Sequence, residues 1–334
     1  LDQKAADWER DEGKIRFADA ADVRRMNVQA QELLGNIGKV VLGKRQVARD
    51  CLIALFAGEH VLIEDVPGVG KTLLAKALAR SVEGAFRRIQ FTPDLLPSDI
   101  LGSSVFNSSR NQFEFVAGPI FSHFVLADEI NRAPPRTQSA LLEAMSDRQV
   151  SIDGVTHSLP DPFMVLATQN PFEYEGTYLL PESQMDRFLF RLSMGYPERD
   201  CELQILDDHR EGEPVDEVQS VCDASWLREA KQLVRRVFVE PSIAGYLLDV
   251  VQATRHSTFF RVGASTRGAL LWYRATQASA FLDGRAYVVP DDAKQLAIKV
   301  LAHRVKAAGN QGMVNRPELE SMMSEVVGSV PVPN

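Results

Sequence analysis

The chain has 334 residues, long enough for about two domains and a substantial core. Its 37 Lys and Arg against 45 Asp and Glu give a formal charge of −8, a balance that argues against sequence-independent binding of nucleic acid. Three widely spaced cysteines (Cys51, Cys201, Cys222) and six scattered histidines offer neither a disulfide framework nor a zinc site. No apolar run reaches the length of a membrane span and the N-terminal residues lack a signal-peptide pattern, so the expected location is cytoplasmic.

Residues 1–21 are charged and aperiodic and read as an N-terminal tail. From Val23 to Ile37 an apolar residue recurs every three or four positions, which predicts an amphipathic helix; a second is expected from Lys44 to Ala57. The Val41-Leu42-Gly43 segment between them either packs in the core or walls an adenine ring. Val61-Leu62-Ile63 then reads as a buried strand, followed by a Gly- and Pro-rich turn and a helical pattern opened by Lys71-Thr72. Strand, loop and helix in that order are what a phosphate-binding loop requires. Loop N–H groups and the helix N-terminus present partial positive charge to phosphates, and Gly68 and Gly70, without Cβ atoms, permit close approach. Pro67, Gly68, Val69, Gly70, Lys71, Thr72 and Leu73 are therefore the expected nucleotide contacts. Lys71 would serve the outer phosphates and Thr72 a Mg²⁺ ion. The strict pattern asks for Gly where Asp65 stands, and an acidic residue beside a polyanion has no evident purpose in the sequence.

Further along, Phe86–Phe91 reads as a strand, and Ser104–Asn107 with Gln112–Val116 as a hairpin. Phe124 to Ala127 fit a buried central strand that ends in Asp128-Glu129. Ligands of open α/β sheets collect at such strand ends. Beside a phosphate loop, Asp128 would hold the metal's hydration shell and Glu129 would polarise the attacking water; alone, the pair would be a solvated acidic turn. A helix is predicted from Thr137 to Arg148, and a second hairpin around Asp153-Gly154. Phe163–Thr168 reads as another buried strand, and the polar pair Gln169-Asn170 follows it. Asn170 there is either a turn former before Pro171 or a ligand of phosphate or water. Arg187 and Arg191, four apart, would share one face if the stretch is a helix; the alternative is surface ion pairing. Beyond Ser225 every clear pattern is helical: about 225–237, 241–255, 265–282 and 290–305.

With these motifs in hand the chain resembles the MoxR-type AAA+ ATPases, in the group whose second helix carries an insert. Five stretches carry the resemblance in order: Glu-Asp-Val-Pro-Gly-Val-Gly-Lys-Thr, Ala-Asp-Glu-Ile-Asn-Arg-Ala-Pro-Pro, Ala-Leu-Leu-Glu-Ala-Met, Ala-Thr-Gln-Asn-Pro and Leu-Pro-Glu-Ser-Gln-Met-Asp-Arg-Phe. The resemblance implies an α/β fold, a three-layer αβα ATPase core with a separate all-helical lid. It divides the chain into the tail 1–21, the core 22–197 with hairpin inserts near 100–120 and 149–159, a connecting helix and linker 198–224, the lid 225–305 and a C-terminal tail 306–334. By the same resemblance Gly68, Gly70, Lys71 and Thr72 form Walker A, Asp128 and Glu129 form Walker B, and Asn170 is sensor 1. Arg187 matches an arginine finger offered to a neighbour, with Arg191 in reserve, and Arg267 matches sensor 2 of the lid. Val41 and Gly43 belong to an adenine-side segment. The implied cofactors are ATP and Mg²⁺. The implied assembly is a homo-oligomer, a hexameric ring, acting in a chaperone-like way on a protein client, in relatives often one with a von Willebrand factor A domain. A nucleic-acid motor of the same group is disfavoured because the two predicted hairpins hold one Arg between them. A metal-chelatase motor subunit is the remaining alternative.

Overall fold

The computed structural model describes residues 17–171, 177–210, 212–308 and 315–333. The expected N-terminal tail falls mostly outside these. The first helix, Ala20–Val40, is capped by the Asp19 carboxylate, which accepts from the Ala21 N–H at 2.6 Å. It buries Val23, Met26, Ala30, Leu33, Leu34 and Ile37, the stripe its periodicity predicts. Helix Arg45–Ala57 follows and stops at Gly58, whose φ of 76° lies in the left-handed region that ends helices.

Among the described residues, nine strands occur between residues 61 and 192: β1 (Val61–Glu64), β2 (Phe86–Gln90), β3 (Gly102–Asn107), β4 (Gln112–Ala117), β5 (Phe124–Asp128), β6 (Gln149–Ile152), β7 (Val155–Ser158), β8 (Met164–Gln169) and β9 (Phe190–Leu192). Five form one parallel sheet in the order β2-β5-β8-β1-β9. Its central strands are buried along their whole length because both faces are covered, which is why they read as unbroken apolar runs. Alternate residues serve two cores. Val61, Ile63, Phe124, Leu126, Met164 and Leu166 join the larger core, which also takes in helices 20–40, 45–57 and Lys71–Ser81. Leu62, Val125, Ala127, Val165 and Ala167 face the smaller one beneath helix Pro135–Asp147. The αβα layering is that of the expected core.

The remaining strands pair off as two hairpins, β3-β4 and β6-β7, where the inserts were expected. At the second tip Asp153 and Gly154 both have positive φ (51° and 79°), the type I′ geometry that Asp-Gly favours. Phe115 of the first hairpin stacks on His157 of the second, ring centres 4.1 Å apart.

Helix Arg199–Asp208 leads to a helical unit: Ala224–Val234, Pro241–His256, Thr266–Leu282, Pro290–Leu301 and Arg316–Ser329. Trp272 lies at its centre, fully buried, its indole N–H on the Ala293 carbonyl. The last helix packs on helices 241–256 and 290–301 and buries Met323 and Val326, so the stretch expected as a C-terminal tail contributes to the lid. The stretch holding Arg187 and Arg191 is not a helix, so the two do not share a helix face. The short helix Glu182–Met185 ends before Arg187, and Arg191 lies in β9.

Candidate functional site

The parallel sheet brings the C-terminal ends of β1, β5 and β8 together, and a cleft of about 510 Å³ opens there. Pro67, Gly68, Val69, Gly70, Lys71, Thr72 and Leu73 line it, with Asp128, Glu129, Asn170 and Val41. Its size is that of a small-molecule site. Gly68 and Gly70 have φ of 85° and 90°, so the loop needs residues without Cβ to turn as it does. Gly43 does not line the cleft. Its φ is 72°, and a Cβ there would meet the Cys201 sulfur at 2.9 Å, so it brings the Val41-Leu42 turn against helix 199–208. That helix and its continuation supply Ile205, His209 and Glu213 to the far wall, which the sequence reading did not assign.

Asp65 acquires a purpose. Its carboxylate faces away from the cleft and accepts from the Met194 and Gly195 N–H groups (both 2.6 Å), the Ser193 hydroxyl (3.0 Å) and the Val66 N–H (3.0 Å). Burial pushes this carboxyl up, but the hydrogen bonds from Gly195, Ser193, Met194 and Val66 outweigh it and hold it below its ordinary value. The residue thus bolts the entrance of the loop to the chain beyond β9. Its own carbonyl accepts from the Lys71 ammonium at 2.9 Å. Burial pulls Lys71 down from its usual range, opposed by Asp128, Asp65 and Glu129.

At the acidic strand end, the Thr168 hydroxyl donates to Asp128 Oδ1 (2.5 Å) and accepts from the Glu129 N–H (2.9 Å). Glu129 adopts a left-handed φ of 57°, a conformation costly for a non-glycine residue and held here by that bond. Its carboxylate accepts from the Gln90 amide (2.8 Å) and from Arg132 (3.1 Å). Asp128 Oδ2 accepts from Arg88, through Nη2 at 2.6 Å and Nε at 3.1 Å. Thr168, Gln90 and Arg88 were not singled out in the sequence. Thr168 stands inside the Ala-Thr-Gln-Asn stretch, and Arg88 and Gln90 alternate along β2, so position on the sheet is the signal that could have found them.

Asp128, Thr72 and Lys71 converge on one cleft, while no cluster of three or more metal-ligating side chains occurs among the described residues. This donor set fits Mg²⁺, which nucleotide sites hold through one or two protein oxygens, phosphates and water rather than an all-protein cage.

Arg187 and Arg267 lie elsewhere. Both line a cavity of about 500 Å³ that also involves Gly58, Glu59 and His60, the residues before β1. That is the opposite end of the sheet from the phosphate loop, separated from it by the whole of β1, about 10 Å of extended chain. Arg187 donates to the Leu142 carbonyl (2.6 Å) and the Ser146 hydroxyl (2.8 Å); Arg267 is 4.0 Å from Asp186, which also pairs with the buried lid residue Arg304 at 2.9 Å. Within the subunit, then, Arg267 does not line the cleft of the phosphate loop. Arg191, the reserve finger, is bonded to the buried Glu64 carboxylate inside the subunit.

A phosphate loop on the first strand of a 2-5-8-1-9 parallel sheet, an acidic pair on a neighbouring strand and a helical lid define an AAA+ nucleotide-binding protein. A profile described as the ATPase family associated with various cellular activities (AAA) matches residues 60–190, and one described as the AAA lid domain matches 252–323. The chain is 46% identical over 301 residues to protein YeaC of Bacillus subtilis, covering 89% of this chain and 93% of that one. It is 41% identical over 278 residues to Chaperone MoxR1 of Mycobacterium tuberculosis, covering 80% and 73%. A crystal structure from Cytophaga hutchinsonii, described provisionally as an ATPase, superposes with a TM-score of 0.85 at 36% identity, covering 94% of this chain and 98% of that one. The chain belongs to the MoxR-type AAA+ ATPases.

Proposed function

We propose that this protein is a Mg²⁺-dependent ATPase that works as a ring of identical subunits and remodels a protein client. The observation that carries the hydrolytic reading is the joint placement of Lys71, Thr72, Asp128, Glu129 and Asn170 around one cleft. In this reading the loop N–H groups and Lys71 hold the phosphates. Thr72 and Asp128 hold Mg²⁺, which when bound neutralises charge on the outer phosphates. Glu129 orients and deprotonates water, and Asn170 positions it. Val41 and Leu42 flank the base.

Neither Arg187 nor Arg267 reaches this cleft within its own subunit, and both line a cavity at the far end of the sheet. A head-to-tail contact would carry that cavity to a neighbour's phosphates, and repetition with closure gives a ring. A hexamer is the size expected from the family resemblance. An arginine delivered in trans contributes orders of magnitude to turnover in phosphate-loop enzymes, so an isolated subunit should be slow. The name of Chaperone MoxR1 supports a client-directed role. A partner with a von Willebrand factor A domain and a cytoplasmic location remain parts of the proposal that rest on resemblance. No helix among the described residues is long and apolar enough to cross a membrane.

The test is a pair of substitutions assayed for nucleotide binding and for phosphate release. Glu129→Gln should bind ATP normally and release phosphate at least about a hundredfold more slowly, on the scale of a lost general base. Lys71→Ala should lose both properties. Normal turnover in Glu129→Gln would remove Glu129 from the mechanism.

A further inference from the structure

On β2, Arg88 and Gln90 stand two residues apart and so point to the same side of the sheet edge. Each grips one carboxylate at the end of β5: Gln90 holds Glu129, and Arg88 holds Asp128. Arg88 Nη2 also donates to the Gln90 side-chain oxygen at 2.8 Å, which joins the two grips. Asp128 has two oxygens. Thr168 engages Oδ1 in a buried bond and Arg88 sits on the partly exposed Oδ2, and both Asp128 and Arg88 line the cleft.

We infer that Arg88 is a built-in cation at the metal position, holding Asp128 while the cleft is empty and displaced when a divalent cation arrives with nucleotide. The inference rests on the proposed reading of the cleft as a Mg²⁺-nucleotide site. A guanidinium and a hydrated dication repel each other and compete for one carboxylate oxygen, so both cannot hold Oδ2 at full strength. Arg88 is the partner able to leave. Its side chain is 50% exposed on an edge strand, whereas Asp128 is 12% exposed and pinned through Thr168. The pairing neutralises the Asp128 carboxylate in the empty protein and makes cation binding an exchange. Because Arg88 also donates to Gln90, its departure loosens the residue that holds Glu129, so arrival of the cation is relayed to Glu129 through two side chains of one strand.

The experiment is Mn²⁺ binding, followed by electron paramagnetic resonance on the full chain with saturating ADP, and needs no turnover. Arg88→Met should bind Mn²⁺ roughly fivefold more tightly than the unaltered chain, the scale of one half-exposed ion pair. Arg88→Lys, which keeps the charge but cannot make the two-nitrogen grip, should fall between them and provides the test should the Met variant fold poorly. Arg87→Met, on the other side of the strand, should leave the affinity unchanged. Equal or weaker Mn²⁺ binding in both Arg88 variants, with ADP still bound, would overturn the inference and assign Arg88 to the phosphates. Failure of the unaltered chain to bind ADP would instead overturn the reading of the cleft, and this inference with it.

Discussion

Asp65 shows how a residue that looks misplaced in a motif can be an anchor for it. Read in sequence, it is an acid beside a phosphate site; in the fold its carboxylate points backwards onto Met194 and Gly195, residues more than a hundred positions away. No local pattern contains that contact, which is why the sequence left Asp65 without a role. Asp65→Ala should strip three backbone N–H groups, those of Val66, Met194 and Gly195, of their acceptor and cost about 1–3 kcal/mol, readable in a denaturant titration. Because the folded carboxyl titrates below its ordinary value, this stabilisation is present above the unfolded pKa near ~4 and is lost as pH falls through the folded one. His60 acts at higher pH. Burial brings its imidazole from 6.5 down to about 3, against a weak opposing bond to the Met145 carbonyl, while Nδ1 accepts from the Val165 N–H at 3.0 Å. The folded state thus keeps His60 neutral where the unfolded chain takes up a proton. Stability should decline as pH falls below about 6.5. Denaturant titrations from pH 7 to pH 5 should show His60→Gln declining less steeply than the unaltered chain. An equal slope would mean that other groups set the decline.

At the scale of elements, the first hairpin depends on two glycines at its root. A Cβ on Gly102, whose φ is 95°, would lie 2.2 Å from the Val116 carbonyl, and one on Gly118 would lie 2.3 Å from that of Ile100. Gly154 at the second tip has a positive φ but open space around it. Gly102→Ala should therefore open the β3-β4 root and destabilise it by several kcal/mol, whereas Gly154→Ala should cost only about 1–2 kcal/mol, the penalty of a left-handed backbone. Thermal melts with limited proteolysis would separate the two; equal losses would contradict the packing argument. The elements themselves were largely legible in the chain. Buried parallel strands announce themselves as apolar runs, and helices 20–40, 241–256 and 266–282 as stripes, because burial dictates residue type directly. The candidate site residues inside specific motifs, Lys71, Thr72, Asp128, Glu129 and Asn170, stand out in the chain because phosphate chemistry calls for those residue types at that spacing, and they line one cleft. What escaped were residues whose roles depend on which strands become neighbours. Arg88 and Gln90 matter because β2 lies against β5, a pairing that local sequence does not encode.

At the scale of the molecule, the central feature is separation. The phosphate loop opens at one end of the parallel sheet, while Arg187 and Arg267 line a cavity at the other, joined to the lid through Asp186 and Arg304. On the proposed reading, such a subunit carries half of a site on each of two faces, and assembly would complete it. The most direct measurement is ATPase activity in mixtures of Lys71→Ala and Arg187→Ala subunits. Each variant alone should be nearly inactive, the first for want of a phosphate lysine and the second for want of the neighbour's arginine. Mixed, they should recover a substantial fraction of activity, because some interfaces then join an intact cleft to an intact arginine. Absence of recovery across all mixing ratios, with co-assembly verified by light scattering, would contradict the shared site.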